Sequence, residues 1–135
     1  MTLEREEKDT LVAYRLQRAH ETFAEVLGNV EMKYWGAAAN RLYYACYYAV
    51  LALNLQKGIT ARTHGGVFGL FGKYFVETGI ISKEQNKLYR KLFDLRQSGD
   101  YDDWFKVEEE DIVPNLEPAK QFIETIENLI KNNPQ

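Results

Sequence analysis

Cysteine is almost missing from this chain of 135 residues: Cys46 stands alone. A single thiol excludes an internal disulfide and leaves no Cys/His spacing of the kind that holds structural zinc. It fits a reducing cytoplasm, where thiols stay free. Proline is scarce, at positions 114, 118 and 134, so most of the chain is free to be helix. No run approaches the roughly 18 consecutive apolar residues that a membrane span requires, and the richest stretch, 37 to 55, is interrupted by Asn40, Arg41 and Asn54. The charged opening, residues 1 to 9, lacks the apolar core of an export signal. Basic residues are not in excess: the net charge is −3 and the pI about 5.5. That argues against coating nucleic acid by bulk charge, while a small local basic site remains compatible. No G-x-S-x-G, H-E-x-x-H or dinucleotide fingerprint occurs, and the Gly65-Gly66 pair lacks the lysine and hydroxyl of a P-loop. The expectation is a cytoplasmic protein with no membrane association, no metal and no cofactor.

What the chain does have is tyrosine, nine of them. A flat apolar ring with a polar tip suits cores near a wet surface, interfaces and base-stacking sites. With no repeat, linker or low-complexity run, residues 1–135 read as one domain, long enough to bury a core without staples. Val12, Leu16, Ala19, Phe23 and Val26 recur at helical spacing and predict a first helix over 3 to 27, stopped by Gly28-Asn29. A second, over 32 to 57, carries two apolar stripes, the mark of a central helix, and ends at Gly58. After a loop at 59 to 65, a shorter helix is expected over 66 to 78, with Gly79 closing it. Ser82 and Gln85 read as a capping box opening a helix over 83 to 98, stopped by Gly99. The last helix is expected over 115 to 131, with an extra turn at 108 to 113 before Pro114. Alternating β-type patterning is absent, so the fold class is all-α, an up-and-down bundle of four to five antiparallel helices.

Three segments could carry chemistry. On the second helix, Arg41, Tyr44 and Tyr48 share one side, and Asn40, Tyr43 and Tyr47 the neighbouring one. An arginine flanked by rings can hold a phosphate or a base; a helix–helix seam with Arg41 paired to an acid explains the same pattern. Near the end of the fourth helix, Arg96 sits where a cation suits the helix dipole, with Asp94, Asp100, Asp102 and Asp103 as a surrounding anionic cluster. Metal binding there would require convergent carboxylates, not merely nearby ones. In Thr63-His64-Gly65-Gly66, His64 could exchange protons near neutral pH, or Thr63 simply caps the third helix while His64 bonds locally. His20 reads as a surface residue.

In order along the chain, Ala38-Ala39-Asn40-Arg41-Leu42-Tyr43-Tyr44-Ala45, Thr63-His64-Gly65-Gly66-Val67, Leu70-Phe71-Gly72-Lys73-Tyr74-Phe75, and the run from Leu92 through Arg96 and Tyr101 to Asp103 resemble the HEPN family, over residues 16 to 129. The likeness is to its short stand-alone bacterial and archaeal branch. The resemblance implies a bundle of four or five helices, often a homodimer, frequently encoded beside a minimal nucleotidyltransferase; some members are toxins that cut RNA without metal. It also implies nucleotide or RNA binding, with a catalytic arginine followed after four to six residues by histidine. Arg96 fits the arginine. Tyr101 stands where the histidine is expected, and no histidine follows in the next six positions. Related toxins are silenced by nucleotide transfer to a tyrosine in this region, which makes Tyr101 a candidate acceptor. As a base Tyr101 is poor: bringing a phenol from about 10 to about 7 takes roughly 4 kcal/mol of anion stabilisation, and neighbouring aspartates oppose it. His64 can replace the missing histidine if its loop folds onto Arg96. The candidate catalytic residues are therefore Arg96, Tyr101 and His64, and the candidate ligand contacts Asn40, Arg41, Tyr44, Tyr48 and Asp100. All of this requires that a visiting anion reach Arg96.

Overall fold

The computed structural model describes residues 4–132. The chain forms α1 (Arg5–Glu31), α2 (Trp35–Gln56), α3 (His64–Phe71), a π-helical turn (Gly72–Val76), α4 (Lys83–Tyr101) and α5 (Glu109–Asn132). No strand occurs among the described residues, and the fold is the expected all-α bundle. Its centre is α2, which packs against α1, α4 and α5. Ala38, Ala39, Ala45, Cys46, Ala49 and Ala52 are buried there, and such short side chains let neighbouring helices approach closely enough to pack without voids. Around them Leu42, Leu53, Tyr89, Phe71, Phe122 and Ile126 fill the core.

The helix ends differ from the sequence expectation in instructive ways. The expected start of the first helix at residue 3, and Pro134, lie outside the described residues. At its other end α1 does not stop at Gly28-Asn29 but runs on to Glu31. The reversal falls on Lys33, whose φ of 60° is left-handed; Lys33 N–H bonds to Val30 O and Tyr34 N–H to Asn29 O, at 3.0 and 2.9 Å. This is a Schellman closure with lysine where glycine is usual. Gly58 and Gly79 do take the left-handed conformation after their helices, as expected.

The third helix begins at His64, two residues before the expected start, because the Thr63 hydroxyl accepts from Gly66 N–H at 2.9 Å. It then loosens into the π turn, which keeps Phe71 and Phe75 both in the core. Ser82 caps α4 by accepting from Gln85 N–H at 3.1 Å; the Gln85 amide does not return the bond but donates to Thr125 Oγ1 of α5. Gly99 is not the stop: α4 continues to Tyr101. A Cβ at Gly99 would lie 3.1 Å from Val107 Cγ2, so this glycine is a notch that lets the returning chain pack close. Finally, the expected short turn and last helix are one element. α5 starts at Glu109 and carries Pro114 and Pro118 inside it. Each proline removes a backbone bond. Beside them, the buried Asn115 amide donates to Asp111 O at 2.8 Å.

A left-handed lysine costs about 1–2 kcal/mol that glycine avoids, less what glycine loses in chain entropy. Lys33→Gly should therefore stabilise the fold by about 0.5–1 kcal/mol. Urea denaturation checks this, and an unchanged or lower midpoint would show that the Lys33 side chain contributes more than the strain costs.

Candidate functional site

An open cleft of about 400 Å³ is lined by Tyr44, His64, Phe93, Arg96, Gln97 and Tyr101. Three elements build it. α2 supplies Tyr44. The Thr63 cap fixes His64 as the first residue of α3. Helical spacing on α4 brings Phe93, Arg96, Gln97 and Tyr101 to one side. Arg96 lies at the cleft floor and is 7% exposed. Its guanidinium Cζ sits 5.2 Å from the Tyr43 ring centre, 5.6 Å from Tyr44 and 5.8 Å from Phe93. Aromatic faces attract such a cation, the more so where water is excluded. Its one ion pair among the described residues is long, Nη1 to Asp100 Oδ2 at 3.7 Å. Its Nε is buried with no hydrogen-bond partner among the described residues. Leaving such a donor unpaired costs about 1–3 kcal/mol. The guanidinium is buried, but its own carboxylates do not saturate it.

His64 faces the same cleft. Its ring stacks on Tyr47, centre to centre 4.4 Å, and its Nδ1 shares a 2.7 Å hydrogen bond with the Tyr43 hydroxyl. Burial, then the nearby Arg96 charge, lower its pKa below the ordinary 6.5. The imidazole is thus neutral at pH 7. Burial, then the neighbouring Tyr47, push the Tyr43 phenol well above its usual range against the opposing Arg96 charge, so Tyr43 keeps its proton. The loop before α3 does fold His64 onto the arginine: both contact the rings of Tyr43 and Tyr44.

The remaining predicted residues form a second, linked arrangement. Asn40 Oδ1 accepts from Arg41 Nη2 at 2.8 Å, while its amide donates to Asp100 Oδ2 at 3.1 Å. Arg41 also pairs with Glu25 of α1 at 3.6 Å and lies over Tyr44. A polar chain therefore runs from Glu25 through Arg41, Asn40 and Asp100 to Arg96, tying α1, α2 and α4 together. Tyr48 lies elsewhere, its ring under Arg18 of α1. Tyr101 is on the rim and 72% exposed.

The anionic cluster expected around Arg96 does not assemble. Asp94 pairs with Arg90, and the Asp102 carboxylate accepts from Trp104 N–H, leaving Asp100 as the contact. Among the described residues no group of three or more His, Cys, Asp or Glu is placed to hold a metal. His20 is exposed, as expected, and bonds to Glu127. Sequence reasoning did not put Phe93 or Gln97 forward, and named Tyr43 on the aromatic face of the second helix without making it a site residue. Phe93 and Gln97 had a usable signal: Phe93 is at i−3 from Arg96, and Gln97 at i+4 from Phe93 and i−4 from Tyr101. Tyr43 had none beyond its place in the tyrosine run.

Replacing the charge beneath His64 tests the electrostatics. In Arg96→Met the His64 pKa should rise toward 6.5, because a neighbouring cation disfavours the protonated ring. A histidine with a depressed native pKa contributes its stability in full above about 6.5 and loses it as pH falls from there to the native value, the unfolded chain taking the proton first. Titration of the imidazole by NMR reads the shift, and an unmoved value would show that the Arg96 charge does not reach it.

Comparison with known proteins places the chain. A HEPN-domain family model matches residues 12–129. A UPF0332 protein of Thermotoga maritima is 36% identical over 126 residues, covering 93% of this chain and 96% of the relative. Two proteins of Methanocaldococcus jannaschii described as candidate toxins are also similar. One is 33% identical over 101 residues, 75% of each chain. The other is 30% identical over 102 residues, 75% of this chain and 69% of the relative. The solved structure of TT1696 from Thermus thermophilus superposes with a TM-score of 0.74 at 15% identity, covering 87% of this chain and 96% of that one, a likeness of fold. No helix among the described residues is long and apolar enough to cross a membrane. The match to the family model spans the helices that build the cleft, and the chain belongs to the HEPN-domain family.

Proposed function

We propose that this chain binds a nucleotide or RNA phosphate in the Arg96–His64 cleft and works with a minimal nucleotidyltransferase, as one half of a toxin–antitoxin-like pair. The observation that carries the reading is the Arg96 guanidinium: set on aromatic faces at the floor of an open cleft, with one long ion pair among the described residues. A phosphate oxygen accepting from it would form the charge-assisted bonds that arginine favours, and Tyr101 or Tyr44 offers a face for the base. The similarity to candidate toxins supports the system-level part. Exposed aromatics at the end of α4 and just after it, Tyr101 on the cleft rim, Phe105 and a Trp104 that is 98% exposed, support a protein contact at this end of the helix. We assign that contact to a homodimer or to the transferase, since aromatic residues concentrate at interface cores.

Titration with nucleoside monophosphates and short RNAs tests the binding. Arg96→Ala should weaken it about 10- to 100-fold, the worth of a charge-assisted hydrogen bond. Absence of affinity in the wild type, alone and with the transferase, removes the proposal. Light scattering at micromolar concentration reports the dimer.

A second reading, a metal-independent ribonuclease, is favoured by the placement of neutral His64 beside Arg96. With the Tyr43 hydroxyl accepting from Nδ1–H, Nε2 would carry the lone pair that a base acting on a 2′-hydroxyl needs. Wild type, Arg96→Ala and His64→Ala are compared on tRNA-like substrates: a loss of about 100-fold or more in both variants is expected of this reading, and equal rates end it.

A further inference from the structure

A second concavity lies on the outer side of α4, where it meets α3. This groove, about 550 Å³, is lined by Phe68, Asn86, Lys87, Arg90, Lys91 and Asp94. Lys87, Arg90, Lys91 and Asp94 fall at i, i+3, i+4 and i+7, hence on one face. The same spacing carries on to Gln97 and Tyr101, which line the cleft already described. One helix edge therefore joins the two concavities, over about 21 Å from Lys87 to Tyr101 at 1.5 Å per residue.

The edge runs against the charge of the molecule. The chain carries −3 overall, yet three cations line the groove against the single carboxylate of Asp94. That carboxylate is spent on Arg90, 3.2 Å away. Its floor is aromatic: the half-buried Phe68 has the Arg90 guanidinium 5.5 Å from its ring centre. Asn86 adds a buried Oδ1 with no hydrogen-bond partner among the described residues. The lysines thus flank an aromatic floor on the same helix edge that carries Gln97 and Tyr101 of the cleft. Cations spaced along a track, with a ring to stack on, match a polyanion whose bases are exposed; a single strand has this character, and a duplex hides it.

We propose that the outer edge of α4 is a track for single-stranded RNA, with Lys87, Arg90 and Lys91 on successive phosphates, a base over Phe68, and the strand leading to Arg96. This rests on the cleft reading above for its endpoint.

Labelled oligoribonucleotides of one to eight residues test it against wild type, a Lys87→Gln/Lys91→Gln double variant and Asp94→Asn. Affinity should climb with length until the strand spans the edge. The double variant should weaken the longer oligomers about tenfold or more at low salt. It should also flatten the slope of log affinity against log salt by about 1.4, since each phosphate contact contributes about 0.7 for single strands. Its affinity for a mononucleotide should not change, and Asp94→Asn should tighten the oligomers. Mononucleotide binding with no gain from length, or a double variant that matches wild type, overturns the track and leaves the cleft standing. Oligomer binding that needs the lysines while no mononucleotide binds sinks the cleft reading and keeps the track. No binding of any length removes both. Unaltered RNA binding with loss of a co-purified transferase reassigns the edge to a protein partner and overturns the proposal.

Discussion

Keeping a guanidinium charged inside a small helical bundle is the demand on which this structure turns. Water is the usual counterpart of such a group, and removing it is expensive unless something polarisable takes its place. Here three aromatic rings from α2 and α4 supply that counterpart to Arg96. Rings accept a cation against their faces without consuming its N–H donors, so the in-plane bonding capacity of the arginine is preserved. A bidentate carboxylate would have held the same charge more firmly and used those donors up. The polar chain from Glu25 to Asp100 does the complementary job: it draws the end of α4 against α2 through Asn40, whose amide orientation is dictated by an arginine on one side and an aspartate on the other. The cleft is thus a product of helix register, and sliding α4 by one turn would dissolve it.

The architecture was largely legible because helix-forming patterns are local. Apolar spacing on α1 and α2, the Ser82 and Thr63 caps, and the glycines at 58 and 79 all act within a turn of themselves, and each is found where the chain implies. What misled were residues whose roles are set by distant partners. Gly28-Asn29 and Gly99 look like breakers, but a helix whose face is buried against neighbours continues through them. Pro114 and Pro118 likewise look like a boundary, yet α5 is bound along its whole apolar face, with Ile112, Ala119, Phe122 and Ile126 buried. The backbone tolerates the missing bonds because packing outweighs them. The π turn after α3 had no sequence signature.

The site was legible in part. Arg96 and His64 stand 32 positions apart, and no spacing rule joins them; a family resemblance pointed to the arginine, and the histidine entered as a conditional substitute. The fold meets that condition. His64, at the start of α3, lines the same cleft as Arg96, and an exposed tyrosine stands five positions downstream of the arginine. Tyr43, which touches both, looked like one more ring in an aromatic stripe.

The loop after α4 leaves one more consequence. Of the two tryptophans, Trp35 is partly buried against the core and Trp104 projects almost wholly into solvent from the chain just after α4. The protein therefore carries a built-in optical gauge: an indole whose emission starts at the wet, red end of its range and moves blue whenever anything dry settles over that loop.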